Sequence, residues 1–404
     1  MSRACDSYSL FDHDACLAVA ESSDAIQDES VPMVQERLAA IDWDFPHRVA
    51  HSAIEGLHPY PAKFVAEIPA TLLDTLPIPT GTAVLDPFCG SGTTLVECQR
   101  RGIPSYGVDL NPIACLMSRV KTMPFRAGLE DSISLVLLHA QRASSPKIPQ
   151  IPNLDHWFMA HVQSALAALT EAIAIAPEAH TDVLRLALSS IIVRVSNQDS
   201  DTRYAAVSKK VTTETVFSGF ARAAHRIGEV LSSRNYRLSP ATVIEGDVLS
   251  VGAEAISRPV GLLITSPPYP NAYEYWLYHK YRMWWLGFDP IAVKNKEIGA
   301  RAHFFKTNGH TAADFPRQTA KLFELLRTVI VPGGFACFVV GRSRIHGEIV
   351  DNAQVIESAA RAAGFHRLFS AERVLSPNRK SFNLSHANIK KETVLVLKNG
   401  ERCS

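Results

Sequence analysis

The sequence has no cysteine pattern of the kind that binds zinc or builds a disulfide framework. Its 404 residues include seven cysteines, which are dispersed and form no Cys-x-x-Cys pair. A dispersed, odd set predicts reduced thiols in a cytoplasmic protein, and no metal is expected. The first residues, Met-Ser-Arg-Ala-Cys-Asp, lack the apolar core of a signal peptide. No hydrophobic run reaches the length of a membrane span, so no membrane partner is expected either.

An excess of charge of either sign is also missing. The 41 Lys and Arg residues nearly balance the 40 Asp and Glu residues, which leaves a net charge of +1. A nucleic-acid partner would therefore need a local basic patch, because phosphate contacts dominate such affinity. With 47% hydrophobic and 20% charged residues, the composition is typical of a soluble globular protein with a proper core.

Short apolar runs that alternate with helical patterns predict an α/β fold built on a mostly parallel sheet. The predicted strands cover residues 82–86, 105–109, 242–247, 262–265, 335–340 and 392–398. Residues 1–45 form a leader without a motif, and 46–125 and 238–404 form the two halves of the main domain. Residues 126–237 read as a helical insertion between the second and third strands, with predicted helices at 132–142, 157–175, 181–195 and 212–232. The insertion is a structural cap over the sheet edge, or its polar break at 196–204 also touches substrate.

A glycine-rich turn follows the first predicted strand directly, in the stretch Asp86-Pro87-Phe88-Cys89-Gly90-Ser91-Gly92-Thr93-Thr94. A strand, a glycine turn and a helix in this order form a nucleotide-binding arrangement. No lysine follows the glycines, which argues against a phosphate loop, and no third glycine completes the dinucleotide pattern. The turn therefore suits a ligand with a carboxylate, or one without phosphate.

Acidic residues end the next two predicted strands. Asp109 lies about 20 residues beyond the glycine turn, where such a residue holds the two hydroxyls of a ribose. Its alternative role is to cap the helix that begins at Pro112, although Asn111 fits the cap better. Asp247 is expected beside the glycine turn, where its carboxylate would accept a hydrogen bond from the amino group of an adenine ring.

The stretch Leu262-Leu263-Ile264-Thr265-Ser266-Pro267-Pro268-Tyr269 is a buried strand that stops in a stiff turn. Proline after Ser266 excludes that residue from the α region. The turn is expected at the carboxyl end of a parallel strand, where ligands bind in open α/β sheets. It offers a hydroxyl, bare carbonyls and an aromatic face, which suit a flat molecule with an amino group. Taken alone, the same turn also reads as an ordinary end to a strand.

Residues after this turn are densely aromatic from 271 to 286, and at helical spacing such residues form core or line a base pocket. Lys280 and Arg282 lie in this segment and are candidates to reach phosphate. Residues 289–315 suit a mobile loop. A basic cluster near the end is a solvated loop or a phosphate contact; its members are Arg379, Lys380, Lys390 and Lys391.

Four of these motifs together resemble the amino-group DNA methyltransferases that use S-adenosylmethionine, the DNA methylase N-4/N-6 family. The stretch 86–94 resembles the family's cofactor loop, 107–112 its ribose-binding segment, and 265–269 its catalytic motif in the cytosine-N4 form. His58-Pro59-Tyr60-Pro61-Ala62-Lys63-Phe64 is similar to the segment under the methionine end of the cofactor. Here the cofactor loop precedes the catalytic motif, whereas many cytosine-N4 members have the reverse order.

The resemblance implies a Rossmann-like, doubly wound, seven-stranded methyltransferase sheet that binds S-adenosylmethionine and double-stranded DNA. A cognate restriction endonuclease is a further possible partner. The implied catalytic residues are Ser266, Pro267, Pro268 and Tyr269. The implied cofactor-binding residues are Tyr60, Lys63, Phe64, Asp86, Pro87, Phe88, Gly90, Ser91, Gly92, Thr93, Thr94, Asp109, Leu110, Asn111, Asp247 and Thr265. The candidate DNA-binding residues come from the basic side chains themselves and are Lys280, Arg379, Lys380, Lys390 and Lys391.

Serine at position 266 favours the N4 amine of cytosine as the acceptor of the methyl group. The alternatives are adenine N6, for which an acidic residue or Asn at this position would be expected, and guanine N2 in transfer RNA. A protein that keeps the fold and binds nucleic acid without catalysis is a further alternative.

Overall fold

The structure is a computed structural model that describes residues 31–46, 52–201, 203–270, 274–300, 303, 311, 313–345, 348–375 and 391–400. The chain divides into two compact units, Met1–Ile41 and Asp42–Ser404. In the first unit the described residues form helix α1, Val31–Ala39. All elements below belong to the second unit.

A seven-stranded sheet forms the centre of the second unit. Its strands follow the spatial order β3-β2-β1-β4-β5-β9-β8, and all neighbours are parallel except β9, which runs antiparallel to β5 and β8. The sheet strands are β1 (Ala83–Asp86), β2 (Ser105–Asp109), β3 (Ala241–Glu245), β4 (Val260–Thr265), β5 (Ile330–Gly341), β8 (Phe365–Val374) and β9 (Lys391–Asn399). A separate antiparallel pair consists of β6 (Ser343–Ile345) and β7 (Glu348–Val350).

The register of the central strands decides where the site forms. Leu85 of β1 pairs with Tyr106 of β2 on one side and with Leu263 of β4 on the other. All residues of β1 and β4 are buried, as expected for strands with both faces covered. The carboxyl ends of β1, β2, β3 and β4 therefore meet at one edge of the sheet.

Helices cover both faces of this sheet, and five of them form the insertion between β2 and β3. Those before the insertion are α2 (Glu67–Thr75), α3 (Thr93–Arg100) and α4 (Pro112–Thr122). The insertion comprises α5 (Leu129–Arg142), α6 (Leu154–Trp157), α7 (Ala160–Ala174), α8 (Glu178–Val195) and α9 (Thr213–Ser232). The later helices are α10 (Tyr275–Trp285), α11 (Pro290–Lys296), α12 (Asp314–Val329) and α13 (Asn352–Ala362).

Side-chain caps mark where several of these helices begin. Asn111 accepts the backbone N–H of Ile113 in front of α4, and a capping box between Thr212 and Thr215 opens α9. Asp351 caps α13 in the same way. Each cap satisfies backbone N–H groups that lack a partner within the helix, and so fixes the starting residue.

Two hydrophobic clusters hold the unit together. The first joins α4, the helices of the insertion and α10, with Phe158, Phe220 and Trp285 fully buried. The second lies between the sheet and the helices α12 and α13, around Phe323 and Phe338. The helical insertion therefore shares its core with α4 and α10, and both of those helices border the site described below.

The predicted α/β fold with its mostly parallel seven-stranded sheet is confirmed, and so is a helical insertion between the second and third strands. The division at residues 45, 125 and 237 stays a prediction. Residues 290–296 form α11, so the loop predicted from 289 to 315 is wrong there. Asp289 caps that helix and Pro290 begins it, a start signal that the loop interpretation overlooked. No helix in the described ranges is long and apolar enough to cross a membrane.

Candidate active site

A cleft opens at the edge where β1 to β4 end. Its empty volume is about 880 Å³, a value that includes solvent space at the open mouth of the cleft. Fourteen of the predicted site residues line it: Tyr60, Phe64, Asp86, Pro87, Phe88, Gly90, Ser91, Thr93, Asp109, Leu110, Asn111, Asp247, Ser266 and Pro268. The structure thus brings the glycine turn, the two acidic strand ends and the Ser-Pro-Pro turn to one cavity.

Six of the predicted catalytic and cofactor-binding residues do not line this cleft. They are Lys63, Gly92, Thr94, Thr265, Pro267 and Tyr269. Thr94 and Thr265 are fully buried. The Lys63 ammonium donates to the backbone carbonyls of Glu55 and His58, 2.6 and 3.0 Å away. Lys63 therefore fixes the shape of the segment that carries Tyr60 and Phe64.

The glycine turn is held from behind by α4. Ser118 Oγ donates to the Gly90 carbonyl at 3.0 Å, and Lys121 Nζ donates to the Ser91 carbonyl at 2.7 Å. Gly92 has a φ of 80°, and a Cβ there would lie 2.7 Å from Ser118 Oγ. Glycine at position 92 is thus required by the positive φ of the turn and by packing against α4.

Lys121 itself is 1% exposed. Burial lowers the pKa of its amine to about 7, and the nearby Lys63 contributes in the same direction. A buried amine with one carbonyl partner is costly to charge. The turn is therefore anchored by a buried lysine that no sequence motif marks.

Asp109 supports the turn from the other side. Its Oδ2 accepts the backbone N–H of Gly90 and its Oδ1 accepts that of Asn111, both at 2.8 Å. Burial raises the pKa of this carboxyl to about 6, against the opposing effect of the two backbone hydrogen bonds. Asn111, and not Asp109, caps α4. Each carboxylate oxygen keeps a free lone pair toward the cleft, so the ribose role stays a prediction that this geometry permits.

A buried donor on Asn111 has no partner. Its Oδ1 accepts from Ile113, whereas its Nδ2 forms no hydrogen bond within the described residues, although the side chain is buried and lines the cleft. An unpaired buried amide is unfavourable, by about 1–3 kcal/mol. A ligand acceptor in the cleft would remove this cost.

Asp86 ties the glycine turn to the strand that leads into the Ser-Pro-Pro turn. Thr265 Oγ1 donates to Asp86 Oδ1 at 2.7 Å, and the backbone N–H of Phe88 donates to the same oxygen at 3.2 Å. Burial raises the pKa of Asp86 to about 6, and the Thr265 bond partly offsets this shift. Thr265 therefore acts by joining β1 to β4 and does not face the ligand space.

The Ser-Pro-Pro turn presents Ser266 to the cleft with its hydroxyl oriented. Ser266 Oγ donates to the Val339 carbonyl of β5 at 3.0 Å. Because its proton is directed to that carbonyl, the oxygen is left as an acceptor on its other side. Pro268 lines the cleft and, with Pro267, also lines a smaller cavity of about 310 Å³ beside Phe315 and Phe338.

Tyr269 is half-buried and its ring packs against the second hydrophobic cluster. Burial raises the pKa of its phenol above the usual range. Gly299 lies against its backbone, because a Cβ at position 299 would be 2.7 Å from the Tyr269 carbonyl oxygen. The ring therefore lies outside the large cleft, and its predicted role in stacking on a base stays untested.

Two stacked tyrosines form another wall of the cleft. The rings of Tyr60 and Tyr275 lie 5.6 Å apart at an angle of 25°. The Tyr60 hydroxyl would lie 3.0 Å from a Cβ at position 90, so the ring covers the glycine turn closely. Glycine at position 90 is thus required by this contact as well as by its φ of 50°.

The predicted DNA-binding residues are only partly described. Lys280 is half-buried with its ammonium 4.1 Å from the centre of the Tyr204 ring, and Lys391 pairs with Glu372 at 2.8 Å. Arg379, Lys380 and Lys390 lie outside the described residues. The prediction that Arg282 reaches phosphate is wrong: its guanidinium is fully buried and bonds the Ser189 carbonyl and the Asp201 carboxylate.

Several cleft residues were missed at the sequence level. They are Ala62, Cys89, Gly246, Val248, Tyr275, Val293, Lys296, Glu297 and Ile298. The last four belong to the region read as a loop, in which the helix-start signal at Asp289-Pro290 was overlooked. Glu297 belongs to no recognisable sequence motif, because it is a single acidic residue directly after a short helix. Its place in the cleft is evident only from the structure.

The cleft suits a cationic ligand without phosphate. Four carboxylates line it, those of Asp86, Asp109, Asp247 and Glu297, and Lys296 is the one basic side chain among its described lining residues. Within the described ranges, no group of three or more His, Cys, Asp or Glu residues is arranged to hold a metal ion. S-adenosylmethionine, with a sulfonium, an ammonium, a ribose and an adenine, fits this donor set and the free Asn111 amide.

Comparison with known proteins gives a family match and partial relatives. Residues 20–119 match the family model described as DNA methylase, N6/N4 type. The type II methyltransferase M.MjaII of Methanocaldococcus jannaschii is 33% identical over 115 residues, which is 27% of this chain and 21% of that protein. The type II methyltransferase M.MvaI of Kocuria varians is 28% identical over 240 residues, which is 53% of each protein. The chain thus spans about half the length of these relatives or less.

Among solved structures, the rRNA methyltransferase AviRa of Streptomyces viridochromogenes is similar with a TM-score of 0.33 and 13% identity. The match covers 86% of this chain and 90% of that one, and a likeness of this strength has no bearing on substrate. The family match covers the glycine turn and Asp109, and the cleft built from them has the charge and shape for the family's methyl donor. The family-model match and the type II methyltransferase relatives support an amino-group DNA methyltransferase of the N6/N4 family, and they indicate S-adenosylmethionine as the cofactor.

Proposed function

We propose that this protein transfers a methyl group to the exocyclic N4 amine of cytosine in double-stranded DNA. The observation that carries the proposal is the orientation of Ser266, whose hydroxyl donates to the Val339 carbonyl and leaves its oxygen as an acceptor at the cleft. A neutral, short acceptor at this position suits the amine of the smaller base.

The chemistry needs acceptors more than it needs a strong base. An exocyclic amine is a weak nucleophile, because its lone pair is delocalised into the ring. When both N–H groups donate to acceptors, the nitrogen becomes more pyramidal and its lone pair more available. We assign these acceptor roles to Ser266 Oγ and to the Pro267 carbonyl.

The bound cofactor supplies a methyl group on a sulfonium, which is a good leaving group. The residues of this chain hold the amine in line with that methyl, and positioning of this kind accounts for much of a rate enhancement. Transfer to the amine would form the N–C bond as the S–C bond breaks, with S-adenosylhomocysteine as the leaving group. The resulting cationic nitrogen is acidic and loses its proton to water, so no dedicated base is required.

The target base can reach the cleft only after it has flipped out of the DNA stack, and flipping costs a few kcal/mol. Tyr269 is the residue proposed to offset this cost by stacking. Lys280, and the basic residues 379, 380, 390 and 391, are proposed to contact phosphate. A restriction endonuclease that acts on the same DNA site remains a proposed partner.

Mass spectrometry of nucleosides tests the proposal directly. DNA from cells that express the protein is digested and compared with DNA from cells that express the Ser266→Ala variant. We expect N4-methylcytosine in the first sample and little in the second. N6-methyladenine as the main product would overturn the cytosine assignment, and modification found in RNA alone would overturn the DNA assignment.

A further inference from the structure

Glu297 is a buried carboxylate in the cleft that the proposed mechanism leaves without a role. It is 6% exposed and lines the cleft directly after α11. Its Oε1 accepts the backbone N–H of Tyr275 at 2.9 Å, and its Oε2 accepts that of Trp276 at 2.8 Å. These two bonds fix the plane of the carboxylate at the start of α10. Each oxygen keeps one lone pair for a further donor.

Glu297 has no cationic partner among the residues that the structure describes. Within the described part of the chain, no basic side chain forms an ion pair with it. Burial raises the pKa of its carboxyl to about 8, and Glu274 and Asp109 add to that shift against the two backbone hydrogen bonds. A buried carboxylate without a cation is costly, and a cationic ligand group beside it would remove that cost.

The other carboxylates of the cleft already have a structural contact or a predicted role. Asp86 Oδ1 already accepts from Thr265 and from Phe88, and it joins two strands. Asp109 ends β2, where a ribose is held, and Asp247 follows β3. Glu297 is the carboxylate that remains, and it adjoins the wall formed by Tyr275.

S-adenosylmethionine has two positive groups, the sulfonium and the α-ammonium. The methyl-transfer reaction fixes the position of the sulfonium only. The sulfonium must lie where its methyl faces the amine at Ser266. The α-ammonium on the methionyl arm is free to lie elsewhere in the cleft, and it has three N–H donors that suit two fixed carboxylate oxygens. A charge-assisted hydrogen bond of this kind contributes to both affinity and orientation.

We propose that the Glu297 carboxylate accepts hydrogen bonds from the α-ammonium group of the methionyl arm of S-adenosylmethionine. The inference rests on the cofactor assignment and is independent of which base is methylated. Glu297 thereby couples the cofactor to the start of α10, because the same carboxylate holds the backbone of Tyr275 and Trp276.

Calorimetric titration of the Glu297→Gln variant with three ligands tests this inference. The ligands are S-adenosylmethionine, S-adenosylhomocysteine, which lacks the sulfonium charge, and 5′-methylthioadenosine, which lacks the amino-acid arm. We expect the variant to bind the first two about 10- to 100-fold more weakly, as a lost charged hydrogen bond predicts. Its affinity for 5′-methylthioadenosine should change by less than about twofold.

Asp351→Asn provides a matched control. Asp351 also accepts two backbone N–H groups at a helix start, from Ala353 at 3.1 Å and Gln354 at 3.2 Å. It does not line the cleft. The control makes the same chemical change to a cap, and it should leave the affinity for all three ligands unchanged.

Three results would overturn the inference. An equal loss for all three ligands would show that Glu297 only supports the cleft through its cap. A loss for S-adenosylmethionine alone would assign Glu297 to the sulfonium, and unchanged affinities would exclude any contact.

If the Glu297→Gln variant does not fold, ligand binding by the wild-type protein tests the inference instead. The wild-type protein should bind S-adenosylhomocysteine at least about tenfold more tightly than the analogue without the α-amino group, and equal binding would refute the contact. Failure of the wild type to bind S-adenosylmethionine at all would overturn the cofactor assignment itself, whereas the choice of base is decided separately by the nucleoside analysis.

Discussion

Replacement of Lys121 by methionine probes the buried amine behind the glycine turn. Methionine has a similar length and no charge, and it removes the 2.7 Å hydrogen bond to the Ser91 carbonyl. That carbonyl is then left buried without this donor. Near pH 10 the variant should therefore be less stable than the wild type, by about 1–3 kcal/mol.

The difference in the free energy of unfolding between the variant and the wild type should change sign as the pH falls. Burial lowers the pKa of Lys121 from 10.5 to about 7, so between these values the unfolded chain binds a proton that the folded chain does not. Wild-type stability consequently falls as the pH is lowered through this window, by about 1.4 kcal/mol per pH unit for one proton. The methionine variant has no such proton, so it should overtake the wild type as the pH approaches 7.

Urea denaturation of both proteins at pH 7, 8, 9 and 10 measures this crossing. Lys321→Met is the matched control, because Lys321 is an exposed lysine on α12; its effect should not vary over the same range. Parallel pH curves for the wild type and Lys121→Met would refute the reasoning, since they would mean that Lys121 stays charged in the folded protein.

Four further predictions concern the cleft and the turn that carries Ser266 and Tyr269. Asp109→Asn should weaken S-adenosylmethionine binding by about 1.5–3 kcal/mol in calorimetry. Unchanged affinity would mean that Asp109 does not bind the ribose. Ser266→Ala should lower single-turnover methylation at least about tenfold and leave cofactor affinity unaltered; a parallel loss of affinity would contradict a role confined to the reacting amine. Tyr269→Ala should lose stacking of about 1–3 kcal/mol and be slower than Tyr269→Phe, whereas equal rates would argue against stacking. The carboxyl pKa of Glu297 rises from 4.5 to about 8, so stability of the ligand-free protein should fall as pH rises through that window, and Glu297→Gln should show a smaller fall.

The strand ends could be predicted because their signals are local. Buried runs such as Val260–Thr265 and the acidic ends at Asp86 and Asp109 follow from composition and from the geometry of parallel sheets. Once those strands are adjacent, the turns that follow them must share one edge. The predicted cleft residues on these turns were therefore found together.

What could not be predicted depends on contacts between distant parts of the chain. Lys121 and Ser91 are 30 residues apart, and Glu297 contacts a backbone 21 residues earlier. A lysine at the end of a helix or a glutamate after one has no periodic signature that marks it as buried. The contacts of Gly92 with α4 and of Thr265 with Asp86 could not be foreseen for the same reason, and the cofactor-binding role of both residues stays a prediction.

The hydrogen bond between Asp86 and Thr265 has a consequence for the order of events. It joins the last residue of β1, which leads into the cofactor loop, to the residue directly before Ser266. We expect a cofactor bound on the loop to add burial and charge at Asp86, which would strengthen that bond and restrain Ser266. We therefore predict a compulsory order of binding, in which the methyl donor binds first and the proposed DNA substrate then meets a Ser-Pro-Pro turn that is already held in place.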